Sequence, residues 1–297
     1  MKLSVFMVFW VASLVTATAG AASPALKEPE RAGRIADANI NRNDGRTVYR
    51  HVLLFTCPFV MRGEKRSCAS HPVKKNIESL SVDVGEAGQD TVMLGIINDP
   101  PSEKNMAFLQ KDYDEEDRES DQWMYFPALK KLKRIISLSG DSPKTGSVFG
   151  SEILYEDIEK RHLSNYRYSY EGIEKIDGRP CDKIMAYPTE HHQPRTSYTR
   201  EELWIDRETQ IALKRDLYNK QHRLAKTFLK KKITNINGIW INKIVIVVNH
   251  ISRCMSMEKT TEMAVNIPIN PEVVGQRALK DASFRESELD KIRSLAR

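Results

Sequence analysis

DQWMYFPALKKLKRI, residues 121–135, is the stretch on which the fold turns. Trp123, Tyr125 and Phe126 precede a proline, and cations then alternate loosely with Leu132 and Ile135. Such a pattern describes two antiparallel strands joined by a turn, with aromatic side chains on one face. A small closed barrel would place that face at its centre, and an open one would line a cavity with it.

Reading outward, short β-branched or aromatic runs recur on both sides. TVYRHVLLF (47–55), TVMLGII (91–97), NYRYSYEGIEKI (165–176), DKIMAYP (182–188), EELWID (201–206) and IALKRDLYN (211–219) all read as strands, most ending at turn residues. Asp177-Gly178 and Asn237-Gly238 are hairpin signals between such runs, so the order is that of an antiparallel meander. IWINKIVIVVNHI (239–251) is apolar at consecutive positions from Ile244 to Val248, which predicts cover on both faces. Helices are expected at 29–40, opened by Pro29, at 100–111 and at 151–163, where Ile153, Leu154, Ile158 and Leu163 share a side. No solenoid repeat or low-complexity segment interrupts this order.

Residues 1–22 pair Lys2 with the apolar run LSVFMVFWVASLV and then small residues, the pattern of a cleavable export signal. The run is shorter than the roughly 20 residues a spanning helix needs. About 275 residues then remain, 23–297, within reach of one large β domain. Loss of Lys2 lowers the net charge from +6 to +5, with acids and bases interspersed except in DYDEEDRESD (112–121), KKLKR (130–134) and KKK (230–232). Those runs read as solvated surface or turns, with an anionic membrane surface as the functional alternative for the basic ones. Export argues against a nucleic-acid partner. It also makes disulfides reasonable: a hairpin centred between Arg62 and Gly63 sets Cys57 opposite Cys68, and Cys181 and Cys254 are left as a second candidate pair.

Motifs of catalysis are not found. GSVFGSE (146–152) is neither a nucleophile elbow nor a phosphate loop and reads as a loop entering a helix. His191 and His192 lack partners at ligand spacing, so a solvated loop is favoured over a metal site, and no cofactor is implied.

Several motifs together resemble the outer-membrane lipoprotein-sorting family, in its longer LolA-like branch. DQWMYFPALKKLKRI is followed by TGSVFGSEILYEDI (145–158), with Glu152 and Ile153 where that branch usually has Asp-Phe. IDGRPCDKI (176–184), YTREELWIDRET (198–209), LYNKQHRLAKT (217–227) and DASFRESEL (281–289) continue the match in order, over about residues 35–290. Asn105, where the family is expected to have glycine, and the Cys57/Cys68 pair are departures. The resemblance implies an incomplete, strongly curved antiparallel β-barrel with a helical lid, and an apolar cavity for acyl chains. It implies a non-enzymatic periplasmic carrier whose cargo is a lipid or acylated lipoprotein, with an inner-membrane transporter of the RND/MMPL type as donor and an outer-membrane acceptor. Leu53, Phe55, Met93, Trp123 and Tyr125 are expected to line the cavity, with Trp204, Tyr218, Trp240, Ile244 and Ile246 from the later strands. Met106, Phe108 and Leu109 are expected in the lid. Two other classes are open: an envelope assembly or interaction module with a filled barrel, and a lipid hydrolase needing a nucleophile and base inside the cavity.

Overall fold

The computed structural model describes residues 26–85, 88–116, 118–137 and 142–296; the expected export signal lies outside them. Among these residues, fourteen strands form one antiparallel sheet. The first run comprises β1 (Thr47–Arg62), its short partner β2 (Lys65–Cys68), β3 (Val73–Val84), β4 (Asp90–Asp99), β5 (Ala107–Asp112), β6 (Asp121–Phe126) and β7 (Lys131–Ile135). The second comprises β8 (Tyr166–Ile176), β9 (Arg179–Pro188), β10 (Tyr198–Asp206), β11 (Ala212–Asn219), β12 (Leu224–Ile236), β13 (Ile239–Asn249) and β14 (Cys254–Val265). Each run is a meander, and pairing of β1 with β14 joins them into the order β7-β6-β5-β4-β3-β1-β14-β13-β12-β11-β10-β9-β8. Because β7 and β8 are the two ends and do not pair, the barrel is open.

Local chemistry sets the corners. Asp177 and Gly178, and Asn237 and Gly238, all have positive φ (49°, 83°, 52° and 85°), the backbone of two-residue hairpin turns that match strand twist. The expected helix over 29–40 is α1 (Pro29–Ile40), whose Ala32 and Ala36, four residues apart, are small enough to seat it on Tyr168, Tyr170 and Ile184. Near the C terminus, α2 (Gln276–Lys280) and α3 (Ala282–Leu295) pack Leu279, Leu289 and Ile292 on Leu80, Leu94 and Leu109 of β3–β5. Each such fully buried side chain contributes about 1.5–3 kcal/mol of transfer free energy.

Alternation then separates two faces. The inner face carries α1 and a strap, 142–165, that links the edge strands β7 and β8; α2 and α3 lie on the outer face. Asp83, Thr91 and Asp112 from β3–β5 line the same cavity as Leu203, Arg215 and Lys230 from β10–β12. Strands so far apart in sheet order can meet only if the sheet curls strongly toward its inner face.

Several expectations are corrected here. The 100–111 segment is a 3-10 turn at Pro101–Glu103 followed by strand β5, because a period-two run with four buried positions has two sheet neighbours available. The 151–163 segment is likewise no α-helix: it holds a 3-10 turn at Glu156–Ile158, after another at Val148–Gly150. Cys57 and Cys68 are bonded, but the hairpin centres between Gly63 and Glu64, so that Phe59 and not Cys57 lies opposite Cys68. Cys181 and Cys254 are not paired and remain free thiols, the former buried in β9 and the latter at the start of β14. On β13 both faces are at least partly covered over Ile244–Val248: the outward Ile244 and Ile246 are half-buried and Val248 buried, and the inward Val245 is half-buried and Val247 buried. Asn105 takes the left-handed backbone (φ 68°) that suits glycine, and its Oδ1 accepts from Arg285 Nη2 at 2.7 Å.

Candidate functional site: the strapped inner cavity

Residues 146–157 fold back on themselves: Val148 N donates to Ile153 O and Tyr155 N to Gly146 O, at 2.9 and 2.8 Å. Phe149 and Gly150 at the tip both have positive φ, 52° and 69°. The backbone strain at Phe149 is offset by burial, since its ring lies over Gly95 of β4 and meets Phe108 edge-on. Tyr155 stacks on Phe108 from the other side, with ring centroids 5.6 Å apart. A methyl on Gly146 would sit 2.5 Å from the Tyr155 ring. Gly146→Ala should therefore cost about 1–3 kcal/mol, the usual range for overpacking, measured by urea unfolding.

Polar anchors fasten the strap to both halves of the sheet. Lys75 Nζ donates to Phe149 O at 2.8 Å, Gln122 Nε2 to Tyr155 O at 3.0 Å, and Gln110 Nε2 to Ile158 O at 2.7 Å. On the far side Glu152 N donates to Ser256 Oγ at 2.9 Å, and Asp157 accepts from Lys226 Nζ at 2.6 Å and from Tyr198 Oη at 2.7 Å. Arg161 binds the buried Glu201 carboxylate, which also lies 3.2 Å from Arg215 Nε. Burial pushes Glu156, whose carboxylate accepts from Ser197 N, up to about 7. The strap thus spans the inner face and closes part of it.

The remaining space is a partly open cavity of about 490 Å3 between β3–β5, β10–β12, the strap and the loop after α1. Its walls combine apolar Ile40, Leu203, Ala212 and Phe228 with charged Arg42, Asp44, Asp83, Asp112, Arg215 and Lys230. Arg50, Lys230 and Glu258 are enclosed by protein yet keep accessible surface, as side chains facing an internal space do. Desolvation first, and then the guanidiniums of Arg42, Arg215 and Arg50, push Lys230 down to about 7, against the attraction of Asp44. Burial raises Glu258, opposed by Arg50. An unfolded lysine titrates near about 10.4, so between about pH 7 and 10 the unfolded chain holds the extra proton and stability should rise with pH. Lys230→Met should accordingly stabilise the protein most below pH 7, with the gain fading toward pH 10; thermal unfolding across that range reads it.

The expected lining residues are not brought together at this cavity. Met93 faces inward and packs in the cluster beneath the strap. Trp123 and Tyr125 point to the other face, against the cluster of α2 and α3, because Gln122 and Met124 take the inward positions. Trp204 and Trp240 join Cys181, Ile211 and Leu213 in a cluster on the outer face, with the Lys183 and Lys214 ammoniums 4.7 and 3.9 Å from the Trp204 ring. Leu53 and Phe55 alternate with the inward Val52 and Leu54, and Ile244 and Ile246 with the inward Val245 and Val247. Tyr218 lies beneath the Arg200 guanidinium. Met106 packs on the inner cluster, whereas Phe108 and Leu109 are wholly buried in β5 and cannot swing as a lid. The KKK run is also not simply solvated: Lys230 turns inward, Lys231 pairs with Asp177 at 2.7 Å, and Lys232 is exposed with a positive φ of 58°. His192 packs edge-on against Tyr166.

The architecture of this chain is an open, strongly curved antiparallel sheet. Similar structures include a DUF1329 family protein of Desulfovibrio piger, with TM-score 0.73 and 21% identity over 85% of this chain and 99% of that one. A domain of Vibrio parahaemolyticus assigned to outer membrane lipoprotein sorting gives 0.73 and 22% over 86% and 100%, and a LolA superfamily protein of Nitrosomonas europaea 0.56 and 18% over 83% and 98%. Identities this low show a shared fold, and that fold is the one the resemblance implied. The family model described as "Uncharacterized protein" matches residues 89–281, more than half of the chain, and the chain belongs to that family. No curated protein matches the sequence. Among the described residues, no helix is long and apolar enough to cross a membrane.

Proposed function

We propose that this protein is a non-enzymatic periplasmic carrier that holds acyl chains of a lipid or lipoprotein between its curled sheet and its strap, and moves them between inner and outer membrane. The observation that carries the reading is the 490 Å3 cavity, whose size falls in the range of ligand sites and whose wall includes Leu203, Ala212 and Phe228. The shared fold of the sorting proteins supports it. A long acyl chain in water costs on the order of 10 kcal/mol at about 0.8 kcal/mol per methylene, so transfer requires an apolar enclosure. The reading includes export by residues 1–22, one domain over 23–297, a donor transporter of the RND/MMPL type and an outer-membrane acceptor.

A second reading, an envelope interaction module without lipid cargo, draws on the strap itself, which fills part of the interior with Phe149 and Tyr155 and is fastened by buried polar contacts. Native mass spectrometry of the protein taken from its own periplasm separates the two. A lipid or acylated protein bound one-to-one supports the carrier; an apo mass that also takes up no offered phospholipid moves the assignment to the module.

A further inference from the structure

The charged part of the cavity has a composition that the carriage of acyl chains does not require. Arg42, Arg215 and Lys230 line it, and Arg50 projects from β1 on the same inner face. Arg42 is held by Trp240 O at 3.1 Å and by Asp44 at 3.3 Å, and Arg215 by Glu201. Among the described residues, Arg50 and Lys230 have no hydrogen-bond or ion-pair partner of their own, and Arg161 Nη1 and Arg215 Nε are buried without a hydrogen bond. These cations repel one another where water is partly excluded; Asp44, Glu258 and Glu201 oppose them on this side, and Asp83, Asp112 and Asp114 stand on the wall around β3–β5. A bound polyanion would turn that repulsion into attraction. Guanidiniums present planar forks of donors suited to phosphate oxygens, and an ammonium adds a point charge. Beside them stand Ile40, Leu203, Ala212 and Phe228, so the site offers cationic and apolar walls to one ligand.

We infer that Arg42, Arg50, Arg215 and Lys230 form a receptor for a phosphate ester, and that the cargo is an anionic phospholipid or similar phosphate-bearing amphiphile whose headgroup is seated there. This rests on the carrier reading for the acyl part, but the phosphate site stands on the cation cluster alone. A phosphate ester supplies acceptor oxygens in more directions than a carboxylate and can meet several of these cations at once.

The test is titration calorimetry of the mature protein with dihexanoyl phosphatidylglycerol and dihexanoyl phosphatidylcholine, both below their micelle-forming concentrations, and with inorganic phosphate. One-to-one binding of the phosphatidylglycerol is expected, with phosphatidylcholine about tenfold weaker or more because its trimethylammonium group meets the cation cluster. Lys230→Met and Arg50→Met should each weaken phosphatidylglycerol by about tenfold or more, the scale of one lost charge-assisted contact. Lys230→Met relieves buried charge, so a folding defect does not confuse the reading, and circular dichroism checks both variants. Equal affinity for the two lipids, unchanged in both variants, overturns the phosphate receptor and leaves the carrier intact. Binding of inorganic phosphate alone, lost in the variants, supports the receptor with free phosphate as its ligand and removes the carrier reading. No binding of any of the three overturns both.

Discussion

Asp157→Ala should unfold this protein more readily than any single change elsewhere on the strap. Asp157 is fully buried and accepts from Lys226 Nζ, Tyr198 Oη and Leu154 N, and Lys226 is itself only 4% exposed. Removing one member of such a pair leaves an uncompensated buried charge, a loss of about 3–5 kcal/mol. In a chain of this size each kcal/mol shifts the unfolding temperature by roughly 2–4 °C, so the drop should be on the order of 10 °C. Replacing both partners with apolar residues, Asp157→Leu with Lys226→Met, should recover much of it, because the desolvation of both charges is removed together. If calorimetry finds the single variant within 1 kcal/mol of the parent, the strap is not held by this pair.

The second large effect lies on the other face, where Glu78 ties α3 to the sheet. Arg293 Nε and Nη2 both bind its carboxylate, at 2.7 and 2.5 Å, and Tyr49 Oη and Asn98 Nδ2 donate to it at 2.7 Å. Burial alone would raise Glu78, but the hydrogen bonds from Arg293, Asn98 and Tyr49 outweigh it and hold the carboxyl below its usual range. A depressed carboxylate contributes stability that is complete above the unfolded value, near about 4.3, and is lost as pH falls through the lower folded value. Acid should therefore loosen the C-terminal helices first. Arg293→Ala leaves Glu78 buried and without its charge partner, so it should cost about 3–5 kcal/mol and flatten that acid transition. Hydrogen exchange at residues 276–295 reads it directly: unchanged protection there would mean that apolar contacts alone, such as Leu289 and Ile292 on Leu94, retain the helices.

What could be read from the chain follows from the range of each interaction. Asn237-Gly238, Asp177-Gly178 and Pro29 act within a few residues, so both hairpin turns and α1 stand where they were expected. Motif order, with TGSVFGSEILYEDI and DASFRESEL among the motifs, carried a resemblance over about residues 35–290 that implied the curled sheet, and the fold agrees with it. The lining was not legible. Alternation tells that Trp123 and Met124 point apart, but both faces of this sheet are partly apolar, so hydrophobicity could not say which was inner. Aromatic weight drew attention to Trp123, Trp204 and Trp240, all outward, while the inward cations were hidden in runs that resemble ordinary surface. A usable signal was present in KTFLK (226–230), where Lys226, Phe228 and Lys230 share one face of a strand flanked on both sides by others.

By itself, then, the sequence determined most of the strands, the antiparallel meander and the tight turns, because these depend on local propensity and period, while the kind of fold came from the family resemblance. Only the tertiary structure decided that 107–112 is a strand, that the strap crosses the inner face, and that Arg42, Arg215 and Lys230 meet in one cavity. Those outcomes depend on how far the sheet curls and on which strands β1 and β14 bring together, and contacts between residues so distant in the chain leave no local trace at either end.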